Sequence, residues 1–265
     1  MQPIHVAQAY NQLDAKGKRA VQRALAGKTS TWNKYYSTIR FAFNVAAGFT
    51  YTVPAGTQFR AFGYAIGQDL SAAGFPAGTP ATSAETNLIK PSETIAGEKV
   101  VIFGASLMLD EDSDAELAKI LWPKLSVIVA LNGDQQQYKL GTAGMIPCSG
   151  GLTGMGDSYV QVPPLSDTYQ SRCGNITNGA PFVANFYPFP EALIWSPSGA
   201  GDSSLVVKLT AERQAQFTTQ LAADRAGAAG VAAWTHPSAA GALGTFVDVR
   251  VTFWSRQLSP RSENQ

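Results

Sequence analysis

Apolar and polar side chains alternate in short runs along most of this chain, the period-two pattern of half-buried β-strands. Tyr35–Val45 alternates, Phe49–Val53 follows, and Pro54-Ala55-Gly56 breaks the run before Phe59–Ile66 resumes it. Lys99–Leu109 and the continuous apolar stretch Leu125–Leu131 predict two further strands, and Asn132-Gly133 predicts a hairpin returning along Gln135–Leu140. In the second half Ser158–Val162, Phe182–Tyr187, Ala192–Ser196, Leu205–Leu209 and Thr245–Ser255 read as strands. Three segments carry helical spacing instead. Residues 6–26 hold Val6, Tyr10, Leu13, Val21 and Leu25, with Gly17 weakening the middle and Asp14 placed to cap a second short helix that ends at Gly27. Ala115–Leu121 is a short helix, and Thr210–Arg225 reads as a longer one with Thr210 as its N-cap.

Loops divide these elements. Residues 67–97 form a long polar loop rich in Gly, Ala, Pro, Ser and Thr, and a loop of that length is functional or makes contacts. The glycine-rich stretch 141–157 is the best boundary between halves, so the chain is expected to divide into an arm at 1–31 and β-domains at 32–150 and 151–265. The halves share an order of elements, strand–helix–strand, without a residue-by-residue repeat.

Charge changes the picture in one place. Residues 1–40 hold Lys16, Lys18, Arg19, Arg23, Lys28, Lys34 and Arg40 against Asp14 alone, a net +6. The other residues sum to −5, leaving +1 for the chain. A basic amphipathic arm on an acidic body suits nucleic acid, anionic lipid headgroups or an acidic neighbour, with a solvated helix face as the plain alternative. Charged residues are only 15 % of the 265, a composition that suits a surface covered by copies of itself. No stretch is long and apolar enough to span a membrane, and the N-terminus has no signal-peptide pattern. Cys148 and Cys173 lie in glycine-rich sequence and are expected as free thiols, with a single bridge between them as the alternative.

Candidate chemistry is sparse. The two histidines, His5 and His236, have no zinc spacing with each other or with the cysteines. Gly156-Asp157-Ser158 and Gly201-Asp202-Ser203 each spell a hydrolase tripeptide, but the residue three before His236 is Ala233 where that family needs Asp. Both tripeptides read as turns. Asp110, Asp112 and Asp114 alternate as carboxylates can around calcium, the one cofactor considered. An EF-hand loop would need Gly and Glu where Ala115 and Leu121 stand, so acids gathered at a helix start are the competing reading. Trp122, Trp195 and Trp254 are expected in the core. No catalytic set assembles, and the chain is read as a structural protein rather than an enzyme.

The order of elements resembles the major capsid proteins of tailless icosahedral viruses that enclose a membrane, the tectivirus–corticovirus group. Arm 1–31 and the late helices Ser113–Leu121 and Thr210–Arg225, each followed by a strand, carry the likeness. It implies an antiparallel jelly-roll sandwich, with two jelly rolls in tandem. It further implies a homotrimer in an icosahedral capsid lattice, contacts with vertex proteins, and a place in the phage virion after synthesis in the host cytoplasm. Lys16, Lys18, Arg19, Arg23 and Lys28 would then face internal membrane lipids or the genome. About eleven strands are predicted where two eight-stranded rolls need about sixteen, so a single elaborated roll stays open. The rival reading is a phage spike, tail-associated or lectin-like β-sandwich binding module.

Overall fold

The computed structural model describes residues 11, 13–26, 28–46, 50–93, 99–110, 113, 115–131, 136–143, 146, 156–161, 169–174, 187–195, 204–218 and 246–260. Its strands are β1 (Lys28–Ala42), β2 (Asn44–Ala46), β3 (Thr50–Val53), β4 (Gln58–Ala61), β5 (Lys99–Leu109), β6 (Leu125–Leu131) and β7 (Gln136–Thr142). They continue as β8 (Gly156–Gln161), β9 (Tyr169–Gly174), β10 (Tyr187–Trp195), β11 (Leu205–Ala211), β12 (Ala215–Thr218) and β13 (Phe246–Pro260). Helix α1 (Ala15–Leu25) precedes them, and α2 (Ala115–Leu121) lies between β5 and β6.

Alternation dictates the layers. Tyr35, Ile39 and Phe41 on β1, Val247, Val249, Val251 and Phe253 on β13, and Val127, Val129 and Leu131 on β6 are buried in one cluster with Leu205, Val207 and Leu209 of β11. Two four-stranded antiparallel sheets meet across that cluster, one ordered β1-β13-β5-β10 and the other β4-β11-β6-β7. Leu117, Ala118 and Leu121 of α2 join the same core. A smaller sheet, β12-β3-β2, and the β8–β9 pair stand beside them.

Several sequence expectations change. Strand β13, from the second half, lies between β1 and β5, and β11 lies between β4 and β6. A boundary near 150 therefore does not separate two β-domains among the described residues. Lys28–Thr31, expected in the arm, are the first residues of β1, paired with Pro260–Gln257. Thr210 caps no helix. It pairs with Gln58 and Ser126, and Ala215–Thr218 pairs with β3; residues 219–225 lie outside the described residues. The Ala- and Gln-rich composition there suits a helix, but the ladder partners override so weak a propensity. The run from Phe59 stops at Ala61 because Phe62 turns the chain at φ 66, which aims its ring at Phe253, stacked at 5.0 Å. Gly156-Asp157-Ser158 opens β8 rather than making a turn. Strand β9 was not anticipated, and its residues Tyr169-Gln170-Ser171-Arg172-Cys173-Gly174 show why: they offer no apolar alternation.

The segment 62–93, of which 67–93 were expected within the long loop 67–97, folds back over β1 of its own chain. Asn87 accepts from the Tyr36 N–H (3.1 Å) and donates to the Lys34 carbonyl (2.5 Å), and Thr86 donates to the Tyr36 carbonyl (3.1 Å). The open edge of β1 is thus capped, which removes a template for stray strand pairing. Tyr64 accepts from the Thr38 N–H at 2.9 Å and donates to the Thr38 carbonyl, tying the start of the segment to the same strand. At the far end Arg40 forms a two-pronged pair with Asp248 (2.7 and 2.6 Å), and the guanidinium lies 4.4 Å from the Phe75 ring and 3.6 Å from the Phe246 ring. Gly74 (φ 91) seats the turn on that strand, since a Cβ there would stand 1.9 Å from the Arg40 carbonyl oxygen.

Two outcomes follow from these contacts. Gly74→Ala should cost about 3 kcal/mol in urea unfolding, whereas Gly78→Ala, equally left-handed but facing open space, should cost about 1 kcal/mol. Burial pushes the Tyr64 hydroxyl up to about 12, with Glu85 adding to the rise and hydrogen bonds to Ser37 and Thr38 opposing it. The unfolded chain ionises this tyrosine near 10, so its contribution is whole below that pH and is lost as pH climbs toward 12. Denaturation midpoints across that window should fall less steeply for Tyr64→Phe than for the parent chain.

Candidate functional site

The basic segment forms a helix because its start is capped and one of its sides has a surface to cover. Asp14, in extended backbone, accepts from the Gly17 N–H at 2.5 Å, and the Lys18 N–H bonds the Asp14 carbonyl at 2.9 Å. Arg23 lies in the last turn, where a cation complements the helix dipole. An isolated helix of this length is marginal in water, so packing must supply the rest. Leu13 (3 % exposed) and Val21 (0 %) pack on Val101 and Phe103 of β5 and Trp254 of β13, with Leu25 and Ala192 alongside. Burying a side chain of that size contributes about 1.5–3 kcal/mol.

This contact explains the unbroken apolar run of β5. Val100 and Ile102 face the core between the sheets, while Val101 and Phe103 face α1 on the other side. Trp254 is buried as expected, but beneath the helix rather than between the sheets. At 100° per residue, Lys16, Arg19 and Arg23 fall on the stripe opposite Leu13, Val21 and Leu25. All three cations are exposed and Lys18 is half-buried at the flank. Lys34 of β1 carries the charge onto the sheet, its Nζ 4.2 Å from the Trp254 ring centroid. Sequence reasoning counted Lys34 in the basic segment but not as a neighbour of α1. Lys28 opens β1, and its side chain lies outside the described residues.

The other end of the same sheet face is charge-paired. Arg40 is taken by Asp248, and Arg250 stands 3.8 Å from Asp110. Among the described residues, the exposed cations Lys16, Arg19, Arg23 and Lys34 stand at the α1 end of this face. Asp110 stands beside the Arg250 guanidinium, and Asp112 and Asp114 lie outside the described residues. Ser113 is buried, donating to the Asp248 carbonyl (3.3 Å) and accepting from the Asp248 N–H (2.8 Å). This anchors the acidic segment to β13. Among the described residues no three His, Cys, Asp or Glu side chains gather as a metal set. Cys173 lies on β9, and Cys148, His5 and His236 are outside the described residues.

A cleft of about 430 Å³ opens between β7 and β10, the last strands of the two sheets. Leu140, Leu193 and Phe189 line it together with Tyr138 and Tyr187. Its two charged side chains, Lys139 and Glu191, are both exposed. No helix among the described residues is long and apolar enough to cross a membrane. Set against protein-family models, curated proteins and solved structures, the chain matches none.

Helix docking is testable apart from charge. Val21→Asp should release α1, cost about 2 kcal/mol, and speed tryptic cleavage at Lys16, Lys18, Arg19 and Arg23. The triple variant Lys16→Gln/Arg19→Gln/Arg23→Gln should leave unfolding within about 0.5 kcal/mol of the parent chain, because it touches only exposed charge.

Proposed function

We propose that this chain is a structural subunit that assembles with copies of itself into a viral shell, built on a single jelly roll with its basic helix turned toward an anionic interior. The observation that carries the reading is the strand order. Taking β1, β4, β5, β6, β7, β10, β11 and β13 as first to eighth, the pairs are first with eighth, second with seventh, third with sixth and fourth with fifth. Alternate pairs fall in alternate sheets, giving 1-8-3-6 facing 2-7-4-5. A jelly roll is such a rolled-up hairpin of eight strands, a form used in viral capsids and also in lectins. Eight strands from both halves of the chain joined in this one arrangement among the described residues favour one roll over two in tandem. The same architecture serves many functions, so the shell reading also needs features of its own.

Two such features support it. The β1 edge is capped by a polar segment that is itself held by many hydrogen bonds, which suits a wall element meeting copies of itself through faces rather than open edges. The charge is polarised, with free-standing cations at the α1 end of one outer face and paired ions elsewhere on it. Trimers, a closed lattice, vertex-protein contacts and residence in a virion are part of this proposal. The cleft between β7 and β10 favours a second reading, a β-sandwich binding module whose ligand sits against Tyr138, Tyr187 and Phe189.

Sedimentation and negative-stain microscopy of the purified chain separate the two. The shell reading expects concentration-dependent trimers and closed or sheet-like assemblies. A strictly monomeric species at every concentration would overturn it in favour of the binding module.

A further inference from the structure

A basic amphipathic helix has two common anionic partners, a lipid surface and a nucleic acid. They place different demands on its apolar side. A helix that holds to a bilayer as an amphipath buries that side among acyl chains. In this chain the apolar side is already used: Leu13 and Val21 are buried on Val101, Phe103 and Trp254. Undocking α1 to insert it would expose those sheet residues to water and forfeit the packing that makes the helix form. Only the cationic stripe remains available, and it adjoins Lys34.

We infer that this face binds the phosphate backbone of nucleic acid, without reading its sequence, through Lys16, Arg19, Arg23, Lys34 and the flanking Lys18. The inference deepens the shell reading by naming the class of its anionic cargo, and it rests on that reading only for the biological role. Lys16, Arg19 and Arg23 span about 10 Å along the helix, enough to meet successive phosphates of a flexible strand. Base reading is disfavoured by the same geometry. The helix lies against the sheet along Leu13, Val21 and Leu25, so it does not stand free to enter a major groove. Trp254 is buried beneath α1 and Lys34, so its ring offers no stacking platform for bases. Asp14, the lone acid of residues 1–40, is occupied as the helix cap. What is left is counterion release at positioned cations, which makes affinity strongly dependent on salt.

The test uses the full chain with fluorescently labelled oligo-dT and oligo-dA, and in parallel vesicles of phosphatidylcholine with phosphatidylserine. Both oligonucleotides should bind with affinities within about threefold of each other. The logarithm of affinity should fall against the logarithm of salt with a slope of about −3, as four to five single-strand phosphate contacts require. Lys16→Gln/Arg19→Gln/Arg23→Gln should weaken binding at least tenfold and reduce the slope by about 2. Lys16→Arg/Arg19→Lys/Arg23→Lys should restore both. Unchanged hydrogen-exchange protection of the α1 amides in the variants would show that α1 stays docked. Oligonucleotide binding unaffected by the glutamine variant would overturn the inference. So would vesicle binding that outcompetes the oligonucleotides and is lost in the same variant, since lipid would then be the partner. Shells that form without nucleic-acid binding would count against this inference alone, and binding by a chain that never assembles would count against the shell reading alone.

Discussion

Strand β13 is the constraint on which the other features depend. It must return across more than 200 residues of chain to lie between β1 and β5, in register from Lys28↔Pro260 to Ala42↔Phe246. The entropy of closing so long a loop grows only slowly with length, so a strand of fifteen residues with ladders on both sides offsets it. Its inward side chains, Val247, Val249, Val251 and Phe253, form one wall of the core. Its outward ones organise the surface. Trp254 receives α1 and Lys34, Asp248 holds Arg40 and Ser113, and Arg250 reaches Asp110 and the Ala84 carbonyl. One alternating strand thereby links the core, the capped edge and the basic face.

The division of charge on that outer sheet face follows from the same strand. Where β13 presents Asp248 beside Arg40 and Arg250 beside Asp110, ions meet in pairs. Where it presents Trp254, an apolar helix side docks and leaves Lys16, Arg19 and Arg23 exposed. Packing consumes the apolar half of α1 and leaves the charged half exposed, so an amphipathic sequence that resembles a membrane helix becomes a rigid basic ridge. Strength of binding at such a ridge is set by how many phosphates it neutralises.

Much of this was legible in the sequence because alternation reports burial directly. Lys99–Leu109, Leu125–Leu131 and α2 fall where periodicity puts them, and Asp14 caps the helix that its position predicts. The unbroken apolar run of β5 was a signal that both faces of that strand are covered, though it did not say by what. What a single sequence does not encode locally is partner choice. Thr210 looks like a helix cap until Gln58 and Ser126 claim it, and Phe62 looks like a strand residue until Phe253 draws its ring inward at positive φ. The expected boundary near 150 is crossed by ladders among the described residues for the same reason. The glycine-rich stretch near 150 marks a boundary in composition, while the ladders tie strands on either side of it.

Native-state amide hydrogen exchange of the full chain against denaturant tests that interleaving most directly. If β13 and β11 sit inside sheets with β1, β5, β4 and β6, the slowest amides of residues 28–142 and of 187–260 belong to one cooperative unit and converge on one unfolding free energy and one denaturant dependence. Two separate isotherms, one for each half of the chain, would contradict the account.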